Sequence, residues 1–243
     1  MPNSDTSTAD GWEWRANYSS PPCAGGSTCG ELIDERDGKH YRTVTIGGQT
    51  WLAESLNFGV RRALADPPAE SGPSTKSCAF DSELWCARIG ARYFFHEAMA
   101  LPARCDQEEC SALLGHPHRG ICPVGWHIPS GQEFLTLLAA VGNTEPSTCN
   151  TATALRATQG WQYEDIAASA TDSSGFSVFP QNLLKSAGTY WGTITMIWSA
   201  DSFATPAAAR FHKLELRIAD DCAHLVPYYA VSNTAETVRC IKD

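Results

Sequence analysis

The chain has 243 residues, 43% of them hydrophobic, with 18 Lys plus Arg against 27 Asp plus Glu and a formal net charge of -9. That length allows one large or two small domains with a sizeable core. The acidic balance argues against nucleic acid, which needs a basic footprint, and against a polybasic membrane anchor. No run of 18 apolar residues is present, so no membrane span is expected.

In chain order, residues 1–30 are rich in Ser, Thr, Pro and Gly and read as an extended leader, with residues 31–243 as the folded domain. Tyr41 to Ile46 and Gln49 to Ala53 are β-prone runs separated by Gly47-Gly48, a two-residue hairpin signal. Residues 66–77 read as a loop, Tyr93 to Leu101 as a helix stopped by Pro102, and 102–121 as a cysteine-containing loop. Ser130 followed by Glu133 forms a capping box. Phe134, Leu135, Leu138 and Val141 then follow helical spacing, and Gly142 stands where a helix end favours positive φ. Strands are expected at Trp191 to Ala200, Ala209 to Ile218, Leu225 to Val231 and Thr237 to Ile241. The predicted class is α+β, with two main helices in the first half and a twisted antiparallel sheet mostly in the second.

There are ten cysteines: Cys23, Cys29, Cys78, Cys86, Cys105, Cys110, Cys122, Cys149, Cys222 and Cys240. No paired CxxC knuckle exists, so zinc fails on spacing. Cys23/Cys29, Cys78/Cys86 and Cys105/Cys110 suit small disulfide loops. The count points to an oxidising compartment, secreted, periplasmic or at the cell surface. Export normally needs an apolar leader. Met1 to Asp10 is polar, so the expectation is a removed leader or a chain exported as part of something larger. Sequence alone leaves the pairing open.

Four segments carry a resemblance. They are Asp37-Gly-Lys-His-Tyr-Arg-Thr-Val-Thr-Ile-Gly-Gly-Gln-Thr-Trp-Leu-Ala-Glu-Ser-Leu-Asn57, Gly120-Ile-Cys-Pro-Val-Gly-Trp-His-Ile-Pro-Ser130, Asp172-Ser-Ser-Gly-Phe-Ser-Val-Phe-Pro180 and Val238-Arg-Cys-Ile-Lys-Asp243. In this order they resemble the Fibrobacter succinogenes major paralogous domain over about residues 31–243. The resemblance implies a disulfide-stapled, loop-rich, C-type lectin-like fold in secreted or surface proteins. It is similar to the broad group that holds formylglycine-generating enzymes and retroelement-diversified receptors. The chain departs from the family at Leu52-Ala53-Glu54-Ser55, at Phe179-Pro180-Gln181-Asn182 and at Trp198-Ser199-Ala200-Asp201, the last of these near the implied ligand face. The family pattern implies a Cys122–Cys240 disulfide and a Cys78–Cys86 loop. Proximity adds Cys23–Cys29 and Cys105–Cys110, which leaves Cys149 with Cys222.

In such a fold the ligand face comes from the late strands and their loops, here residues 190–236. The candidate ligand-binding residues are Trp191, Thr193, Asp201, Phe203, Arg210, His212, Tyr228, Tyr229 and Asn233, a mix of aromatic and polar groups typical of binding surfaces. Arg210 and His212 alternate with Phe211, which is expected inside. Trp51, Trp126 and Trp198 lie inside the motifs and are expected in the core, whereas Trp12, Trp14, Trp161 and Trp191 are less constrained.

Catalytic and metal signals are sparse. No GxSxG elbow, P-loop or dinucleotide fingerprint is present. His116-Pro117-His118 with His127 is a conceivable metal cluster, but no acidic partner stands at suitable spacing, and His127 reads as a buried histidine with a satisfied ring. Asp165, Asp172, Asp201, Asp220 and Asp221 read as solvated acidic loops. No cofactor is expected, although these loops leave room for one structural Ca²⁺.

The expected function is therefore a non-enzymatic binding module outside the cell or on its surface, directed at a glycan or a surface protein, with retroelement diversification of its face as a variant. A structural surface or fibre subunit is one alternative. An enzyme related to the formylglycine-generating group is another, and it would need Cys222 and Cys240 as free thiols.

Overall fold

The computed structural model describes residues 28–63, 66, 74–142, 152–161, 168–181, 192–205, 210–219, 222–229 and 234–243. Among these the strands form two sheets. The smaller has β1 (Thr28–Asp34), β2 (Lys39–Ile46), β3 (Gln49–Leu52), β7 (Trp126–His127) and β12 (Ile241–Lys242), in the order β1-β2-β3-β12-β7. The larger has β4 (Val60–Arg62), β5 (Thr75–Ser77), β6 (Arg92–Tyr93), β8 (Ile194–Thr205), β9 (Arg210–Ala219), β10 (Cys222–Tyr229) and β11 (Glu236–Thr237), in the order β10-β9-β8-β11-β6-β5-β4. Its β4/β5 and β8/β11 pairs are parallel. The helices are α1 (Glu83–Ile89), α2 (Phe95–Met99), α3 (Gly131–Ala140) and α4 (Ala152–Leu155). Among the described residues no helix is long and apolar enough to cross a membrane.

The β2–β3 hairpin forms where the sequence predicts it. Gly47 and Gly48 take φ of 58° and 84°, the positive values that a tight hairpin turn with the right twist requires. Strand β1 begins at Thr28, inside the predicted leader, and pairs along β2 from Thr28↔Thr45 to Asp34↔Lys39.

Neighbouring residues on a strand face opposite sides of a sheet, and here they enter different cores. Trp51, Ile197 and Ile241 join Val44, Phe134, Leu137, Leu138, Trp161, Phe176 and Leu216 in one cluster. Leu52, Trp198 and Cys240 join Tyr41, Leu56, Tyr93, Phe95, Trp126 and Val238 in another. Around these residues both sheets are thus covered on two faces. Trp51 stacks on Phe134 and meets Phe176 edge-on, each at 5.6 Å. Trp51, Trp126 and Trp198 lie in the core as predicted. Trp161 lies there too, donating its indole N–H to the Ala157 carbonyl at 2.9 Å.

Several expectations are corrected. The Tyr93 to Leu101 helix shrinks to α2, because Arg92 and Tyr93 are taken as a strand between β5 and β11 and Ala100 turns left-handed at φ 54°. The end of the 66–77 loop, Thr75–Ser77, is drawn into a sheet as β5. Leu135 is 44% exposed, and Leu137 takes its place on the buried face of α3 beside Phe134 and Leu138. Sheet and helix are not divided between halves of the chain. The late strands β11 and β12 insert among early ones, β11 beside β6 and β12 between β3 and β7.

Candidate functional site

The late strands form an antiparallel ribbon, β8-β9-β10, at one end of the larger sheet. Its inner half is packed, with Ile197, Trp198, Leu216, Ile218 and Ala223 all buried. Its outer half begins past a register shift between Trp198 and Ser202. Such a bulge bends a strand and re-aims the residues beyond it. This one is tied to the start of α3: the Ala200 N–H donates to the Pro129 carbonyl at 2.8 Å, and the Gly131 N–H donates to Asp201 Oδ2 at 2.6 Å. A carboxylate at a helix N-terminus satisfies an otherwise orphan donor.

Beyond the bulge, the register brings predicted residues together. Phe203 pairs with His212, and His212 with Tyr229, so these three positions form one row across three strands. Ser202, Lys213 and Tyr228 form the adjacent row, and Arg210 stands opposite Thr205. Two other predicted residues lie against the scaffold. Thr193 is only 3% exposed, buried where the ribbon joins the core, and Asp201 is held by the helix start. Trp191 and Asn233 lie outside the described residues, and so does the side chain of Phe211.

The histidine cluster does not assemble as a metal site. His127 Nδ1 meets Asp243 Oδ1 at 2.7 Å and His127 Nε2 meets Glu133 Oε1 at 2.8 Å, so the ring is satisfied on both sides. Glu133 also accepts the Ser130 N–H through Oε2 at 2.8 Å, which completes the capping box. The absence of an acidic partner, inferred from spacing, is therefore corrected. One partner lies six residues along the chain and the other 116 residues away. Burial works against the His127 imidazolium, but Glu133 and Asp243 outweigh it and raise its pKa above the ordinary 6.5. His118 is used locally, accepting the Gly115 N–H and meeting the Met99 carbonyl.

Asp172 is not a solvated ligand either. It is 4% exposed and accepts the Ser177 N–H at 2.9 Å and the Ser177 hydroxyl at 2.5 Å. Burial lifts its pKa, with the Ser177 hydrogen bonds opposing. Asp165, Asp220 and Asp221 lie outside the described residues. Among the described residues, Cys78, Glu83 and Cys86 have the spacing of a metal site, but the two sulfurs are bonded to each other.

Cys78–Cys86, Cys105–Cys110 and Cys122–Cys240 are disulfides. Cys29 and Cys222 also carry disulfide bonds, while Cys23 and Cys149 lie outside the described residues.

Sequence reasoning missed buried cations, among them Arg239 and Lys76. Arg239, 1% exposed, stacks on Phe176 and donates to Ser55 Oγ and to the carbonyls of Leu52, Phe176 and Ser177, so it ties the last motif to the first and third. Burial pulls its pKa down to about 9. Lys76, 2% exposed, reaches Asn57 Oδ1 at 2.6 Å and Glu83 Oε2 at 3.1 Å. Arg239 lies in the last motif, but nothing in the sequence marked Lys76, which falls in the segment read as a loop.

No curated protein and no solved structure matches the chain. The family model of the Fibrobacter succinogenes major domain matches residues 44–242, which takes in most of the first motif, nearly all of the others and the whole late ribbon, and the chain belongs to that family.

Proposed function

We propose that this protein is a non-enzymatic binding module of C-type lectin-like fold, secreted or held at the cell surface, that recognises a glycan through the outer half of the late ribbon. The observation that carries this reading is the cross-strand row Phe203–His212–Tyr229 beyond an anchored bulge. Two aromatic positions flanking a histidine suit a sugar, whose C–H face packs on a ring while its hydroxyls bond to polar groups. Thiol chemistry of the formylglycine-generating type is disfavoured in this reading, because Cys222 and Cys240 both carry disulfide bonds. Three described disulfides support an oxidising compartment. No cofactor is required. A surface protein is the other target class, and retroelement diversification of this face is a genetic corollary.

The test is a glycan-array screen of the full chain, with and without EDTA. Binding that survives EDTA is expected. Binding abolished by EDTA means that a metal ion belongs to the site. A blank array, with capture of one defined surface protein instead, contradicts the glycan reading.

A further inference from the structure

Lys76 sits in β5, flanked by β4 and β6, and is 2% exposed. An ammonium so far from water must be paired or lose its proton. Its Nζ has two side-chain contacts. One is the Asn57 amide oxygen at 2.6 Å, and the other is Glu83 Oε2 at 3.1 Å, from the first residue of α1. Burial lowers the Lys76 pKa, the Glu83 hydrogen bond opposes this, and the charge of Lys39 lowers it further, so the net shift is downward.

Asn57 is held firmly. Its backbone N–H donates to the Tyr41 hydroxyl at 3.0 Å, and its carbonyl accepts Lys39 Nζ at 2.6 Å. The Tyr93 hydroxyl grips the residues on either side, accepting the Phe58 N–H and bonding to the Leu56 and Phe58 carbonyls. Asn57 itself is 7% exposed. The fold thus presses a buried amine against a buried, immobilised amide, with a carboxylate in contact with the amine. Nothing about the wider function of the domain requires this arrangement, and a lysine with a lone glutamate partner would satisfy its charge without the asparagine.

The geometry points to an intramolecular isopeptide bond between Lys76 Nζ and Asn57 Cγ, made by the chain itself with Glu83 as the proton carrier. Glu83 takes a proton from the Lys76 ammonium, and the freed nitrogen lone pair attacks Asn57 Cγ. The carbonyl π electrons move to Oδ1, and their return expels Nδ2. Nδ2 takes up the proton held by Glu83 and the second proton lost by the lysine nitrogen, and departs as ammonium. One N–C bond forms and one breaks, charge is conserved, and no oxidant or co-reactant is needed. Amides resist amines in water chiefly because the two must meet in the right orientation and shed solvent. Preorganised contact removes much of that barrier. The reaction occurs once per molecule, so even a slow rate completes it.

The bond would fasten the segment after β3 to β5, next to the Cys78–Cys86 disulfide, and unlike that disulfide it would resist reduction. Intact-mass spectrometry of the full chain, denatured, reduced and alkylated, is the test. The expected mass is one ammonia below that of the reduced, alkylated sequence, and a digest should yield a branched peptide joining Asn57 to Lys76. Glu83→Gln alters a half-exposed side chain and should fold, yet keep the full mass. Lys76→Met should also keep the full mass. A wild-type mass equal to that of the reduced, alkylated sequence overturns the proposal. So does an ammonia loss that maps elsewhere, and a cross-link that persists in Glu83→Gln removes Glu83 from its role.

Discussion

His127 shows how one residue joins a strand, the helix that follows it and a residue 116 positions away. It lies in β7, its carboxylate partners are Glu133 in the first turn of α3 and Asp243 at the end of the chain, and the His127 and Glu133 pKa shifts both favour the charged pair. For His127 the folded pKa is raised, so its contribution is complete below the ordinary 6.5 and fades as pH rises through the folded value. For Glu133, burial opposes ionisation but His127 and Ser130 outweigh it and lower the pKa. Its contribution is complete above the ordinary 4.5 and fades as pH falls through the folded value. The trio therefore stabilises most between about pH 4.5 and 6.5. His127→Gln should flatten the loss of stability on the alkaline side in denaturant titrations across pH. An unchanged alkaline limb would remove the charged form of His127 from the account. The sequence motif marked His127 as a buried, satisfied histidine, but its partners were not legible, because only the fold brings Asp243 back to it. Arg239 and Lys76 were hidden for the same reason. Their acceptors come from segments that touch only after the sheets close.

At the scale of elements, the readable pieces were those whose signals are local. The β2–β3 hairpin follows from two glycines at positive φ, and α3 follows from a capping box at one end and Gly142 at φ 95° past the other. Ser130→Ala should cost about 1 kcal/mol, since it removes the hydroxyl that accepts the Glu133 N–H at 3.3 Å. The effect should exceed that figure if the bulge of β8, tied to Pro129 and Gly131, loosens with the helix start. Urea titration measures it, and a neutral outcome would show that the cap is not a fixed point of the fold. Strands β4, β5 and β6 were not legible, and the single strand expected at Thr237 to Ile241 is split into β11 and β12. With two or three residues each they have too few positions to show an alternating pattern, and they are strands only because neighbours supply the hydrogen bonds. The long late strands β8, β9 and β10 were legible in place. Their register was not, and it is the register that aligns Phe203, His212 and Tyr229.

At the scale of the molecule, the late strands are threaded among early ones, so segments far apart in sequence become neighbours. Cys122–Cys240 fixes this closure across 118 residues. A loop of that length limits the unfolded ensemble strongly, by roughly 4–5 kcal/mol in the chain-entropy picture. Replacing both cysteines with alanine should lower stability by about that amount in chemical denaturation, more than opening Cys78–Cys86 or Cys105–Cys110, which span 8 and 5 residues. An equal loss for all three would show that loop length does not govern their effect.

The stapled scaffold leaves the outer ribbon as the part of the fold proposed to meet a ligand. The most direct test is glycan-array binding by the full chain beside its Phe203→Ala, His212→Ala, Tyr229→Ala variant, with thermal unfolding of both as a control for folding. The account predicts glycan signals from the wild type that fall at least about tenfold in the variant, the loss of roughly 1.4 kcal/mol of binding, at an unchanged midpoint. Equal signals from the two proteins, or none from the wild type, would contradict it.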